Sequence, residues 1–237
     1  MDCVPLDDML LSSPEDTFLM SASGKCTVSI VINALILGLV IFATSNSIFH
    51  FFDVTPYEAS PNVYLFFTNW STALAALSAA GALFCIFKGI RFPRLLMLMK
   101  YASTMMLTVT FLIVVFLLCP TSGWHLLLDI EASIMSHLFV PILVAVDFLF
   151  LIDADAPVRK DAVLTLVPSV VYFVFIITFL LISGNDDLAP YPFLKIHSQP
   201  LYVTILVPLV LIVFEYLISY GYGRLVRRTN PNMSEVA

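Results

Sequence analysis

The chain has 237 residues, 60% of them hydrophobic and only 12% charged, with a mean hydropathy of +0.98 and a net charge of −6. That balance excludes an ordinary soluble globular domain. The acidic charge points to no particular partner beyond the membrane, and no nucleic acid is expected among its partners.

The first 26 residues carry Asp2, Asp7, Asp8, Glu15 and Asp16, without a basic leader region or a small-residue cleavage pattern, and read as an acidic tail. The first apolar run is therefore expected to act as its own insertion signal. Six runs follow, at about 27–50, 64–87, 97–119, 131–152, 162–183 and 200–221. Each is near the ~20 residues that cross ~30 Å of hydrocarbon as helix. The expected fold is an all-α, six-transmembrane-helix bundle over residues 27–222, closed by a short basic tail at 223–237.

Ten of the eleven Lys and Arg residues fall on one side of this plan. Lys25 precedes the first run; Lys88, Arg91, Arg94 and Lys100 are assigned to the second connector; Arg159 and Lys160 fall in the fourth; Arg224, Arg227 and Arg228 fall at the C-terminal end. Lys195 alone lies opposite. The positive-inside rule then places both termini in the cytoplasm and connectors one, three and five outside.

The second run contains Ser71, Ala73, Ala75, Ala76, Ser78, Ala79, Ala80, Gly81 and Ala82. Small side chains let helix backbones approach closely in lipid, which predicts a central position for this span. Near its outer end the string reads Tyr64-Leu65-Phe66-Phe67-Thr68-Asn69-Trp70-Ser71. Cys3, Cys26, Cys85 and Cys119 show no paired spacing and suggest neither zinc nor a disulfide framework. Cys26 and Cys85, near the cytoplasmic boundary, are either palmitoylation sites or ordinary buried thiols. The glycosylation triplets at Asn69 and Asn232 fall in a span and in the C-terminal tail, and neither is expected to be modified.

The fourth run contains Ser136-His137-Leu138-Phe139-Val140-Pro141 and then Asp147-Phe148-Leu149-Phe150. Thr68 and His137 lie about 6 and 9 Å below the outer boundary, and Asp147 and Glu215 about 8–9 Å from the inner one. A hydroxyl becomes a nucleophile when a neutral imidazole takes its proton, which makes Thr68 and His137 candidate catalytic partners. The plain alternative for Thr68 is a bond back to its own helix, and for His137 a structural hydrogen bond. Asn69 and Ser71 could support the pair by donating hydrogen bonds, Asp147 is a further supporting candidate, and one of His50, His125, Asp129, Glu131 or His197 could orient His137. Trp124, Tyr64, Tyr191 and Tyr202 fit an interfacial aromatic belt.

Pro141, Pro168 and Pro208 are expected to kink the last three spans. Asp147 and Glu215 are the acids deepest in the apolar runs. They are either polar anchors or two carboxylates that share a proton or hold a cation.

Taken in order, the Thr68 string, the His137-to-Asp147 string and Tyr191-Pro192-Phe193-Leu194 resemble the androgen-induced-protein family of six-span membrane hydrolases, with its bacterial and rolling-stone-like relatives. The resemblance covers residues 27–222 and departs at Lys195, where many relatives carry an acid. It implies an intramembrane threonine hydrolase that cleaves esters of fatty acids with hydroxy fatty acids, with Thr68 as nucleophile, His137 as base and no metal or organic cofactor. Two other function classes stand beside it: a small proton- or ion-coupled transporter using Asp147 and Glu215, and a non-catalytic adhesion or assembly protein.

Overall fold

The computed structural model describes residues 22–49, 63–124, 127, 134–151 and 157–229. The expected orienting candidates His50, His125, Asp129 and Glu131, along with Cys3 and Asn232, lie outside the described residues. What is described is helical and apolar, as a chain with no water to satisfy its backbone must be. Span one is Ala22–Phe49, span two Phe67–Lys88, span three Arg94–Ile113 continued to Ser122, span five Arg159–Ser183 and span six Leu201–Thr229. Among the described residues five helices are long and apolar enough to cross a membrane, and span four contributes the shorter apolar helix Met135–Leu151.

Proline sets the local shape of spans three, four and five. A helical proline lacks an N–H, and its ring collides with the carbonyl four residues back. Ahead of Pro120 and Pro141 the chain answers with a wide turn: Val114–Leu118 and Met135–Phe139 are π-helical. The amides of Cys119 and Val140 reach back five residues, to the carbonyls of Val114 and Met135. In span five the helix breaks after Leu164 and restarts at Val167, beside Pro168.

Span two ends in a Schellman motif. Gly89 takes φ +60°, its amide bonds the Ile86 carbonyl at 3.1 Å, and the Ile90 amide bonds the Cys85 carbonyl at 3.0 Å. Pro93 then caps the start of span three in extended conformation. The tight connector follows from these two residues.

Span three, rather than span two, occupies the middle of the bundle. It packs against spans two, four and six, and Met97, Tyr101, Met105, Met106 and Leu107 on it are all essentially inaccessible. The small residues of span two do permit close approach, but on one face only. Ala75, Ala79 and Ala82 are buried there, while Leu77, Phe84 and Phe87 face outward. A Cβ on Gly81 would stand 2.8 Å from the Leu96 side chain of span three.

Lys100 accounts for the difference. Assigned by the sequence to a connector, it lies inside span three, 5% exposed, and forms an ion pair with Asp147 of span four. Asn33 of span one completes the cluster: its Nδ2 donates to Asp147 Oδ1 at 3.0 Å and its Oδ1 accepts from Lys100 Nζ at 2.8 Å. Ser29 Oγ donates to the same Asp147 oxygen at 3.3 Å. A second ion pair joins the starts of spans three and five, with Arg94 Nη2 at 2.6 and 2.7 Å from the two Asp161 oxygens.

Removing one member of a buried pair strands the other charge, so Lys100→Met is expected to lower stability by about 3–5 kcal/mol. The double variant Lys100→Met/Asp147→Leu should recover most of that loss. Reversible unfolding in mixed micelles measures both; equal destabilisation by the single and the double variant would show that the pair does not govern the fold.

Candidate functional site

Thr68 and His137 meet. Thr68 Oγ1 lies 3.2 Å from His137 Nε2, a hydrogen bond between two spans 69 residues apart in sequence. Thr68 is 6% exposed and His137 half-buried. The roles within the bond depend on which imidazole nitrogen carries the proton.

The local sequence explains why each side chain is available. Thr68 is the second residue of span two, preceded by the 3₁₀ turn Val63–Leu65. At this position the carbonyl four residues back belongs to Tyr64, outside the helix, and it accepts from Trp70 Nε1 at 3.1 Å instead. Hydroxyls deeper in the spans behave as lone helical Ser and Thr usually do: Thr104, Thr108 and Thr110 donate to carbonyls four residues back. Thr68 reaches across to a neighbouring span.

His137 sits in the middle of the π turn that Pro141 imposes. The carbonyl that the proline ring would strike is that of His137 itself, so the helix widens at this residue.

The turn before Thr68 is clamped by aromatic side chains. Tyr172 of span five donates its hydroxyl to the Leu65 carbonyl at 2.7 Å, and the Phe67 amide donates to the Tyr191 hydroxyl at 3.1 Å. Phe67 packs edge-on against Tyr172, with ring centroids 5.0 Å apart, and Phe66 edge-on against Tyr191 at 5.7 Å. Leu194, from the Tyr191-Pro192-Phe193-Leu194 string, is fully buried in the same cluster. Tyr191 therefore leaves the interfacial belt expected of it and holds the helix start. Trp124, Tyr64 and Tyr202 remain exposed, as belt residues would be.

The other candidates separate into different roles. Ser71 Oγ donates to the carbonyls of Phe67 and Thr68, at 3.1 and 2.8 Å, so its hydroxyl braces the first turn of its own helix. Asn69 is half-buried on the next position of that turn. Asp147 is not brought to the pair: ten residues farther along span four, about 15 Å by helical rise, it is committed to Lys100, Asn33 and Ser29.

Glu215 makes no hydrogen bond to Asp147 among the described residues. It is 2% exposed, and its Oε1 and the Ser169 hydroxyl have no hydrogen-bond partner among the described residues. His197 lies in connector five, its amide bonded to Asp186 Oδ1 at 3.1 Å. Among the described residues no three His, Cys, Asp or Glu side chains converge as metal ligands would. The cavities that stand out do not contain the Thr68–His137 pair. One lies among Asn33, Lys100 and Asp147, and the other lies between the ends of spans five and six.

Sequence reasoning missed three groups. Lys100 was hidden by its nearness to three other cations, and Asn33 by the apolar run around it. Tyr172 sits in a run whose other polar residues are only Ser169, Thr178 and Ser183, where its depth, five residues past Val167, distinguishes it from a belt tyrosine.

Among the described residues, connector five carries the one acid outside the spans whose titration is shifted. The Ser198 hydroxyl, and then the His197 amide, hold the Asp186 carboxyl below the usual carboxylate range. A depressed acid stabilises the folded form above its unfolded value and loses that contribution as pH falls through the folded one. Protection of the His197 amide against hydrogen exchange should therefore be constant from neutral pH down to the usual carboxylate range and fall below it. The variant Asp186→Asn should remove the dependence. Replacing Tyr191 by Phe leaves the Phe67 amide without its acceptor and should lower stability by about 1–3 kcal/mol, measured by the same mixed-micelle unfolding.

Comparison of the chain with protein-family profiles, with curated proteins and with solved structures gives no match.

Proposed function

We propose that the protein is an intramembrane lipid ester hydrolase in which Thr68 is the nucleophile and His137 the general base. The observation that carries this reading is the 3.2 Å contact between Thr68 Oγ1 and His137 Nε2. It lies within the hydrogen-bonding reach that proton transfer from a nucleophile to its base requires.

The chemistry follows in two half-reactions. Thr68 Oγ1 attacks the ester carbonyl while its proton passes to His137 Nε2, and collapse of the tetrahedral intermediate expels the alcohol, which takes the proton from the imidazolium. Water, deprotonated by the same imidazole, then attacks the acyl-threonine carbonyl; collapse breaks the acyl–Oγ1 bond, Thr68 takes the proton back from the imidazolium, and the fatty acid is released. The first turn of span two offers a donor for the oxyanion. The Phe67 amide is engaged by Tyr191 and the Asn69 amide by the Phe66 carbonyl at 3.1 Å, while no hydrogen bond occupies the Thr68 amide among the described residues.

Placement of the pair near one end of the spans suits a substrate that partitions into the leaflet with its carbonyl below the headgroups. On the positive-inside reading this is the extracytoplasmic half. The resemblance to the androgen-induced-protein family narrows the substrate class to esters of fatty acids with hydroxy fatty acids.

The transporter reading needs two carboxylates with a shared task. It is less well supported, because Asp147 is neutralised by Lys100 and no hydrogen bond joins Glu215 to it among the described residues.

The purified protein in detergent or nanodiscs should hydrolyse such an ester and label with a fluorophosphonate probe. His137→Ala should lower kcat by about 10²–10⁴-fold, and Thr68→Ala should abolish both turnover and labelling. Thr68→Ser should keep a measurable part of each. Full activity in folded Thr68→Ala protein, with flux lost instead in a folded Glu215→Gln variant, would transfer the case to transport.

A further inference from the structure

At the end of the molecule where the second and fourth connectors emerge, spans five and six enclose an open groove of about 480 Å³. It is lined by Val158 and Arg159 from the start of span five and by Tyr220, Arg224 and Arg227 from span six. The last three are spaced i, i+4 and i+7, so one helical face presents all of them.

Three arginines thus line one groove, and no acidic side chain lines it among the described residues. Asp161, two residues along from Arg159, is committed elsewhere: it is buried, its oxygens taken by Arg94 and by the Val158 amide at 2.7 Å. The arginines are held in place. The Arg224 guanidinium stacks over the Tyr220 ring, 5.2 Å from its centroid, and Arg227 donates to the Pro157 carbonyl. Stacking leaves the in-plane N–H donors of Arg224 pointing outward, and one carbonyl accepts only one of the five donors of Arg227.

Like charges gathered in one groove repel one another unless an anion sits among them, and a planar fork of donors is matched to phosphate oxygens. The groove also continues into an apolar stripe. Val213, Leu217 and Tyr220 stand at i, i+4 and i+7 above Arg224, and Val213 and Leu217 are 52% and 60% exposed. An acyl chain leaving a phosphate in the groove would run along them.

We infer that the Arg159–Arg224–Arg227 groove binds the phosphate headgroup of an anionic membrane lipid, with an acyl chain along Val213 and Leu217. The site is separate from the Thr68–His137 pair and does not depend on its chemistry. Its depth suits the ligand, since cations at the ends of apolar spans lie at the headgroup level.

The test uses the full chain in phosphatidylcholine nanodiscs doped with phosphatidic acid, with lipid retention on release read by native mass spectrometry. The wild-type protein should retain phosphatidic acid in preference to phosphatidylcholine. Arg159→Gln and Arg224→Gln, neither of which breaks a backbone bond, should each lower that retention by about fivefold or more. Arg224→Lys should fall between wild type and Arg224→Gln, because it keeps the charge and loses the fork. Lys88→Gln, a cation outside the groove, should have no effect.

Absence of any preference in the wild type, or equal losses from Lys88→Gln and Arg224→Gln, would overturn the proposal in favour of diffuse surface charge. Displacement of the lipid by soluble glycerol phosphate at equal concentration would also overturn it, by showing that the groove takes phosphate without regard to the acyl chain.

Discussion

An ammonium group among apolar helices persists only against a counter-charge, and the pairing of Lys100 with Asp147 is the constraint around which the remaining spans arrange themselves. Asn33 and Ser29 extend the pair to span one, so three spans meet at a point where each polar group has a partner. Hydrophobic burial offers little preference between one helix arrangement and another in lipid, because lipid tails are as apolar as leucine. A polar contact has only one satisfactory arrangement. By fixing the depth and rotation of span four through Asp147, the cluster also fixes the position of His137 farther along the same helix.

The opposite end of the bundle achieves its rigidity by other means. Thr68 depends on a short non-helical turn whose backbone is bonded by Tyr172, Tyr191 and Trp70 from both sides. His137 depends on a π turn dictated by Pro141. Both devices use backbone groups that a regular helix would have satisfied internally, and each releases one side chain from the packing pattern of its own span. The meeting of Thr68 and His137 is thus the product of two local departures from ideal helix, held in register by the buried ion pair.

Much of this was legible in the residues. The apolar runs are long enough to leave little freedom in fold class, and the matched depths of Thr68 and His137 were visible from helical rise alone. Proline at 141 announced a distortion, though not that the distortion would fall on the histidine. The role of span three was not legible. Small residues announce close approach, but they do not say whether a helix is surrounded or merely flanked, and span two is flanked. Lys100 read as one more cation in a basic connector, because composition cannot tell where a helix begins when its first turn is basic. The helix in fact starts at Arg94, whose charge is met by Asp161 from span five. Tyr191 and Tyr172 were indistinguishable from interfacial tyrosines until their hydroxyls had addresses.

The buried pair has a consequence for biogenesis. Span three emerges from the ribosome with a lysine in its interior and no anion yet synthesised to meet it, since Asp147 follows 47 residues later. A lysine at a helix centre costs roughly 2.5–3.5 kcal/mol to insert alone, and Lys100, the seventh residue of its span, carries a smaller but still unfavourable cost. Pairing with Asp147 offsets that cost, which favours partition of spans three and four into the bilayer as a unit. Nascent chains interrupted between them carry an unmatched intramembrane charge, a feature by which quality control can distinguish an unfinished copy from a complete one.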